Sequence, residues 1–282
     1  MKELQEKEPV SESIYLSQPP PLQENLSDED RRVADWIYLV PLSADSVVLV
    51  LGCSRKIIPL VLSENCGRVY VVDSNQAEIN LLKAQIERQG INNLFPVQSS
   101  NILDLKFPPR YFDFISVQGF AVPPGESISF QSLIQQVRPF LREGGVLQVT
   151  MGNQLDPRQL IFAKQKNPNE PFPHHTYWDY RRILKSEGFS DVQFHAPLPG
   201  YRGIPLFYVP LEDRRAVGFF LRNVFPLCET VSHKRKQAYA IEYGLAKIAT
   251  RLMLALRLSF LLKFFVPGYS VIAKNKYVAK VN

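Results

Sequence analysis

Two apolar runs in the first third of the chain set its architecture. Ser46-Val47-Val48-Leu49-Val50-Leu51 has no alternating polar positions and breaks at Gly52; Arg68-Val69-Tyr70-Val71-Val72 ends on Asp73. A strand with one wet face alternates apolar and polar side chains. Runs like these therefore predict strands covered on both faces, as in a parallel sheet flanked by helices. Between them, Lys56 to Ser63 predicts a helix, and Asn65-Cys66-Gly67 predicts the turn that returns the chain to the second strand. Upstream, Ser27 followed by Asp28, Glu29 and Asp30 has the chemistry of a helix start. Val33, Trp36, Ile37 and Val40 then follow with helical spacing, and Pro41 stops the helix before the first strand.

The same periodicities continue downstream. Val146-Leu147-Gln148-Val149-Thr150 predicts a strand after the Gly144-Gly145 turn. Met151 to Pro173 is polar and proline-containing, the pattern of a loop over a ligand side, with a short helix at Leu160-Ile161-Phe162. Thr176 caps a helix over Tyr177 to Glu187, closed by Gly188 in the position that favours a left-handed residue. Phe189 and Asp191-Val192-Gln193-Phe194-His195 give a sixth strand. Tyr269-Ser270-Val271-Ile272-Ala273-Lys274 gives a last one, expected antiparallel beside the sixth at the sheet edge. No internal repeat is visible.

An acidic residue closing a second strand, roughly 20 residues after the glycine that ends the first, is what a nucleoside site needs, because one carboxylate can accept both ribose hydroxyls. The loop excludes two cofactor classes. Counting from Gly52, Ser54 and Ile57 replace the later glycines of a dinucleotide fingerprint, and no second glycine precedes a Lys-Ser or Lys-Thr pair as a Walker loop requires. The stretch Val48-Leu49-Val50-Leu51-Gly52-Cys53-Ser54-Arg55-Lys56 resembles the first motif of the class I S-adenosylmethionine-dependent methyltransferases, approximately hydrophobic-hydrophobic-acid-x-Gly-x-Gly-x-Gly. Of its glycines only Gly52 is present, with Val50 at the acidic position and Ser54 and Lys56 at the other two.

The rest of the family pattern runs from about Asp28 to Lys274. Val71-Val72-Asp73-Ser74-Asn75 resembles the second strand with its ribose-binding acid. Gln98-Ser99-Ser100-Asn101-Ile102-Leu103-Asp104-Leu105 resembles the stretch after the third strand, with Asn101 where the adenine-contacting Asp is usual. Arg110-Tyr111-Phe112-Asp113-Phe114-Ile115-Ser116 resembles the fourth strand. Val137 to Leu147 resembles the helix, Gly-Gly turn and fifth strand, and Tyr177 to Phe189 the late helix and strand. The resemblance implies a three-layer, Rossmann-like α/β sheet and S-adenosyl-L-methionine as cofactor. It places Gly52, Ser54, Asp73, Ser74, Asn101, Ile102 and Gln118 at the cofactor. The implied activity is methyl transfer to an oxygen or nitrogen of a small or lipid-linked acceptor. The late region, with Pro197-Leu198-Pro199-Gly200-Tyr201 and Pro210-Leu211, is similar to bacterial methyltransferases associated with cell-surface glycan assembly. Two other functions stay open. The lost acid and glycines suit a non-catalytic binding or scaffold module of the same fold, and Ser54-Arg55-Lys56 at a helix start suits a phosphate or nucleotide.

Methyl transfer relies on holding a nucleophile in line with an electrophilic methyl, and a hydroxyl acceptor gains from a general base. His174 and His175, between the polar loop and the late helix, are the candidate bases, with an ordinary pKa suited to neutral pH. The competing role for both is a solvated pair that leads into a helix. His195, mid-strand, and His233, in a basic run, are expected to be structural. No metal-ligand spacing occurs.

The chain has 282 residues, 45% of them hydrophobic, and three widely spaced cysteines, Cys53, Cys66 and Cys228, which outline neither a disulfide framework nor a zinc site. Residues 1–26 are expected to be a disordered polar tail with no apolar signal core, 27–210 the methyltransferase-like core, and 211–282 a helical, basic extension. The expected location is cytoplasmic. Net charge is +6, but Val231 to Asn282 holds about ten Lys or Arg against one Glu, near +9, which leaves about −3 on the rest. Within that region Leu252 to Val266 is apolar but interrupted by Arg257 and Lys263, too broken for a spanning helix. Two roles fit it. It packs on the sheet as core, or it lies on the inner face of an anionic membrane with Leu254, Leu258, Leu261 and Phe265 towards lipid and Arg251 and Arg257 snorkelling. The aromatic residues do not interleave with the basic ones as nucleic-acid stacking requires, so nucleic acid is not an expected partner.

Overall fold

The computed structural model describes residues 32–53, 57–101, 104–118, 128–157, 173–198, 205–227 and 236–276, the last segment by backbone alone up to residue 243. The strands are β1 Val47–Leu51, β2 Arg68–Asp73, β3 Leu94–Gln98, β4 Phe112–Val117, β5 Leu141–Gly152, β6 Phe189–Leu198, β7 Phe207–Pro210 and β8 Gly268–Asn275. They form one sheet in the order β3-β2-β1-β4-β5-β8-β6-β7. The five strands from β3 to β5 are parallel. β8 runs antiparallel between β5 and β6, and β7 is antiparallel outside β6.

The uninterrupted apolar runs have the cause inferred from sequence. Along β1, Leu49 and Leu51 enter one hydrophobic cluster and Val48 and Val50 the other, so both faces are dry. One layer is built by α3 (Phe130–Val137) and α4 (Tyr177–Ser186), through Phe130, Leu133, Ile134, Tyr180 and Leu184. The opposite layer is built by a 3-10 helix, Arg32–Leu39, with α1 (Ile57–Asn65) and α2 (Gln76–Gln89), through Trp36, Ile37, Ile58, Leu62, Ile79 and Leu82. The expected helix start at Ser27 lies outside the described residues. Thr176 caps α4, its hydroxyl accepting from the Asp179 amide, and Gly188 follows at φ +83°.

One placement differs from expectation. The last strand is antiparallel beside β6 as anticipated, but it is interior rather than at the edge. From Tyr269 to Ala273 every residue is buried, and a strand covered on both faces gains most between two others. The edge falls instead to the short β7, which ends at Pro210, a residue that cannot donate to a further strand. A boundary after residue 210 therefore does not separate the extension from the core, because β8 completes the sheet. Between β7 and β8 lie α5 (Arg214–Phe219), a π-turn Phe220–Val224, α6 (Lys236–Ala255), a 3-10 turn Ser259–Leu261 and α7 (Leu262–Phe265).

Candidate functional site

The C-terminal ends of the parallel strands gather the first group of residues. Gly52 leaves β1 at φ +93°, a conformation an L side chain rarely takes, and its amide donates to the Val72 carbonyl at 2.8 Å. The next amide, Cys53, donates to Asp73 Oδ2 at 2.6 Å, while Asn75 N donates to Asp73 Oδ1 at 2.8 Å. Asp73 thus ties the loop after β1 to the turn after β2 and is only 3% exposed. Asp73 does not cap the next helix. Asn75 is the cap of α2, its side chain accepting from the Ala77 and Glu78 amides. Ser99 N donates to the Asp73 carbonyl, Ser99 Oγ to the Asn101 carbonyl, and Gln118 N to the Leu51 carbonyl. Gly52, Asp73, Ser74, Asn101 and Gln118 accordingly lie on one rim. Ser54 and Ile102, and the whole Ser54-Arg55-Lys56 loop, lie outside the described residues.

A second group was not anticipated. On the sheet face whose left half is covered by α1, the apolar lining stops at β4 and becomes polar. Gln118 Nε2 donates to Ser116 Oγ at 2.7 Å and to Gln148 Oε1 at 2.7 Å, and Ser116 Oγ donates to the same oxygen at 2.8 Å. Gln148 Nε2 continues the row to Thr150 Oγ1 at 2.9 Å and Ser270 Oγ at 3.2 Å. His195 stands opposite Ser270 in register, 6% exposed, with Nδ1 buried and without a partner. Burial holds the His195 pKa below the usual imidazole value, partly offset by a hydrogen bond to the Ser270 backbone. Buried polar groups are kept only when their bonds are made, and this belt makes nearly all of them, running from the rim at Gln118 across β5 and β8 to β6. The signal was present in sequence: Gln148 and Thr150 alternate with Leu147 and Val149, and Ser270 breaks an apolar strand.

The His pair lies at the end of β5. The His174 ring packs on Gly152 so closely that a Cβ there would sit 2.6 Å from the ring Cδ2. His175 bridges Asn153, accepts from Gln154 N through its carbonyl, and sets its ring edge-on to Tyr180 at 5.3 Å. Burial lowers the His175 pKa, and the Asp179 carboxylate opposes that shift. Beside them Asn153, fully buried, donates through Nδ2 to the Phe264 and Val266 carbonyls at 2.8 Å each, while Pro267 O accepts from its amide. The C-terminal extension is thereby latched to the end of β5. The structure thus brings the described rim residues, the belt and the His pair towards the end of the sheet where the parallel strands finish. A surface hollow of about 490 Å³ between Glu64, Gly90 and Asn93 lies at the opposite end of the sheet and is remote from these groups.

Open parallel sheets bind their ligands beyond the carboxyl ends of the strands, which is where these groups converge. Comparison with known proteins agrees. Residues 49–149 match the family model described as a methyltransferase domain. No curated protein matches the chain. Among solved structures, an S-adenosylmethionine-dependent methyltransferase from Archaeoglobus fulgidus is similar at TM-score 0.54 and 18% identity, covering 88% of this chain and 95% of that one. The YcgJ protein of Bacillus subtilis is similar at TM-score 0.52 and 12% identity, over 88% and 99%. Phosphoethanolamine N-methyltransferase 2 of Haemonchus contortus, in complex with S-adenosylmethionine, is similar at TM-score 0.51 and 13% identity, over 88% of this chain but 53% of its own. The strand order, the Gly52 turn and the acid ending β2 agree with this match of residues 49–149 to a methyltransferase domain, and the similar solved structures share the fold.

Proposed function

We propose that the protein transfers a methyl group from S-adenosylmethionine to an oxygen or nitrogen of a small or lipid-linked acceptor. The observation that carries this reading is the continuity of the rim with the polar belt. Residues at the positions of a nucleoside site (Gly52, Asp73, Asn101) abut a buried hydrogen-bonding row at Gln118 that leads towards β5 and the His pair. The rim fits the cofactor at its ribose and adenine side. The bare backbone at Gly52 admits close approach, and each Asp73 oxygen has a second lone pair beyond the amide it already accepts. When bound, the cofactor would supply an electrophilic sulfonium methyl, with its thioether as the leaving group. The chain's own part is to bind and to orient. Gln118, with both Nε2 hydrogens spent on the belt, is held in one rotamer at the border of the two regions. His174 or His175 takes the proton that a hydroxyl or ammonium acceptor must lose, and the lowered pKa of His175 keeps its ring neutral and able to accept.

A non-catalytic binding module is favoured by one observation, that both Asp73 oxygens are already engaged by the protein. Calorimetric titration with S-adenosylmethionine and S-adenosylhomocysteine separates the two. Binding of both ligands, weakened by Gln118→Ala, supports the proposal; absence of binding to either leaves the module reading.

A further inference from the structure

Helix α6 is built inside out for a helix in water. Leu245, Ile248, Leu252 and Leu256 recur at helical spacing and are 57%, 56%, 57% and 63% exposed. The side that faces the protein carries Thr250, which is 6% exposed, together with Leu254, which packs on the core. An amphipathic helix of a water-soluble domain turns its apolar stripe inward; α6 turns it outward. The segment was expected either as core or with Leu254, Leu258, Leu261 and Phe265 towards lipid; Leu254, Leu262 and Phe264 pack on the core while Phe265 is 50% exposed, so the expected line is not one exposed stripe. The cause is a break after Ala255. Arg257 takes φ +57°, with Arg257 N donating to Leu254 O and Leu258 N to Met253 O, the paired bonds of a left-handed helix stop. Leu258 and Leu261 thus leave the helical register, and the exposed stripe shifts to the Leu245–Leu256 line.

The charge around this stripe identifies what covers it. From Tyr243 to Asn282 the sequence contains no Asp or Glu and seven Lys or Arg. Arg251 and Arg257 are exposed beside the stripe, and Arg214 and Lys263 extend the basic surface over the neighbouring short helices, Arg214 lying 5.3 Å over the Phe260 ring. A second copy of the chain would bring these cations against one another, whereas an anionic lipid surface neutralises them while taking up the leucines. Among the described residues no helix is long and apolar enough to cross a membrane, so the geometry is that of a helix lying in the interface. We propose that α6 docks the protein onto anionic membrane through Leu245, Ile248, Leu252 and Leu256, with Arg251 and Arg257 at the headgroups. The Asn153 latch connects this unit to the end of β5, beside the His pair.

The inference is independent of methyl transfer and is tested on the full chain by co-sedimentation with vesicles of phosphatidylcholine alone or mixed with phosphatidylglycerol. Binding is expected to the mixed vesicles at low salt. Each basic residue near anionic lipid is worth about a five-fold change in partitioning, so Arg251→Glu with Arg257→Glu should lower binding by more than ten-fold. Leu252→Gln with Leu256→Gln should abolish it, with an unchanged melting temperature because both side chains are exposed. Three results overturn the proposal: protein that stays in the supernatant with mixed vesicles at low salt, equal binding to neutral vesicles, or a dimer in sedimentation velocity that the Gln pair dissociates while vesicles fail to bind.

Discussion

Asp73 is asked to do two things, and its two closest substitutions separate them. Its carboxylate accepts the buried Cys53 amide at 2.6 Å and the Asn75 amide at 2.8 Å. Hydrogen bonds to a charged group contribute about 1.5–3 kcal/mol each. Cys53 is fully buried, so Asp73→Ala removes an acceptor that water does not replace there; Asn75 is exposed and takes water instead. A loss of about 3 kcal/mol is expected for Ala in urea denaturation. Asp73→Asn keeps an amide oxygen that can accept the Cys53 N–H, and its loss should be about half as large. Ribose binding, under the proposed function, should respond differently, because it would use the charge that both variants remove. Affinity for S-adenosylhomocysteine should fall about 10- to 150-fold in Asn as well as in Ala, the same 1.5–3 kcal/mol expressed as an equilibrium. Calorimetry on both proteins reads this directly. An Ala variant as stable as wild type would falsify the loop tie. Wild-type affinity in the Asn variant would remove Asp73 from the ribose.

Three further outcomes follow from particular contacts. Gly152→Ala drives a Cβ into the His174 ring and should cost about 1–3 kcal/mol, the usual range for overpacking; the double variant with His174→Ala should recover most of that loss, and simple additivity of the two would refute the contact. Arg257→Gly should stabilise the protein by about 1 kcal/mol, since only glycine takes the left-handed position at α6 without strain, and a lower melting temperature would show that the Arg side chain holds the turn. His195 and His175 have folded pKa values below the ordinary 6.5 because burial disfavours their charged forms. The unfolded chain then binds more protons below pH 6.5, so stability is full above that value and falls as pH drops through it; His195→Gln should reduce the slope of stability against pH, and an unchanged slope would show that His195 does not contribute.

The half of the fold that surrounds the cofactor rim was legible because its rules are local. A run such as Val48 to Leu51 reports burial on both faces whatever its partners are, Gly52 reports a backbone turn, and Asp73 lies at the end of its own strand. The helix cap at Thr176 and the stop at Gly188 were equally local. What failed depended on partners distant in sequence. Nothing near Tyr269 states that β8 will sit between β5 and β6 rather than outside them, since that depends on pairing with partners distant in sequence, such as Gln148 with Ser270 across 122 residues. The α6 stop uses Arg257 where the expected residue is glycine, so a left-handed turn had no compositional sign, and the stripe was placed on the wrong line of leucines.

The same division explains why the belt escaped notice. Ser116, Gln148, Thr150 and Ser270 each read as one tolerable polar residue in an apolar strand, and only pairing shows that they share a face. A buried polar row saves no energy over a well-packed apolar one, because each bond made in the protein replaces one made in water. Under the proposed function, its run across β4, β5 and β8 serves to continue the rim from Gln118 towards β5. The rim side is written in short runs, while the side of the belt and the latch, which the proposed function assigns to an acceptor, is assembled across the chain, from Ser116 with Gln148 and from Asn153 with Phe264, 111 residues apart. Substitutions on the first side should act on cofactor affinity with little effect elsewhere. Substitutions on the second should couple acceptor use to the seating of the C-terminal helices, because one buried Asn153 serves both.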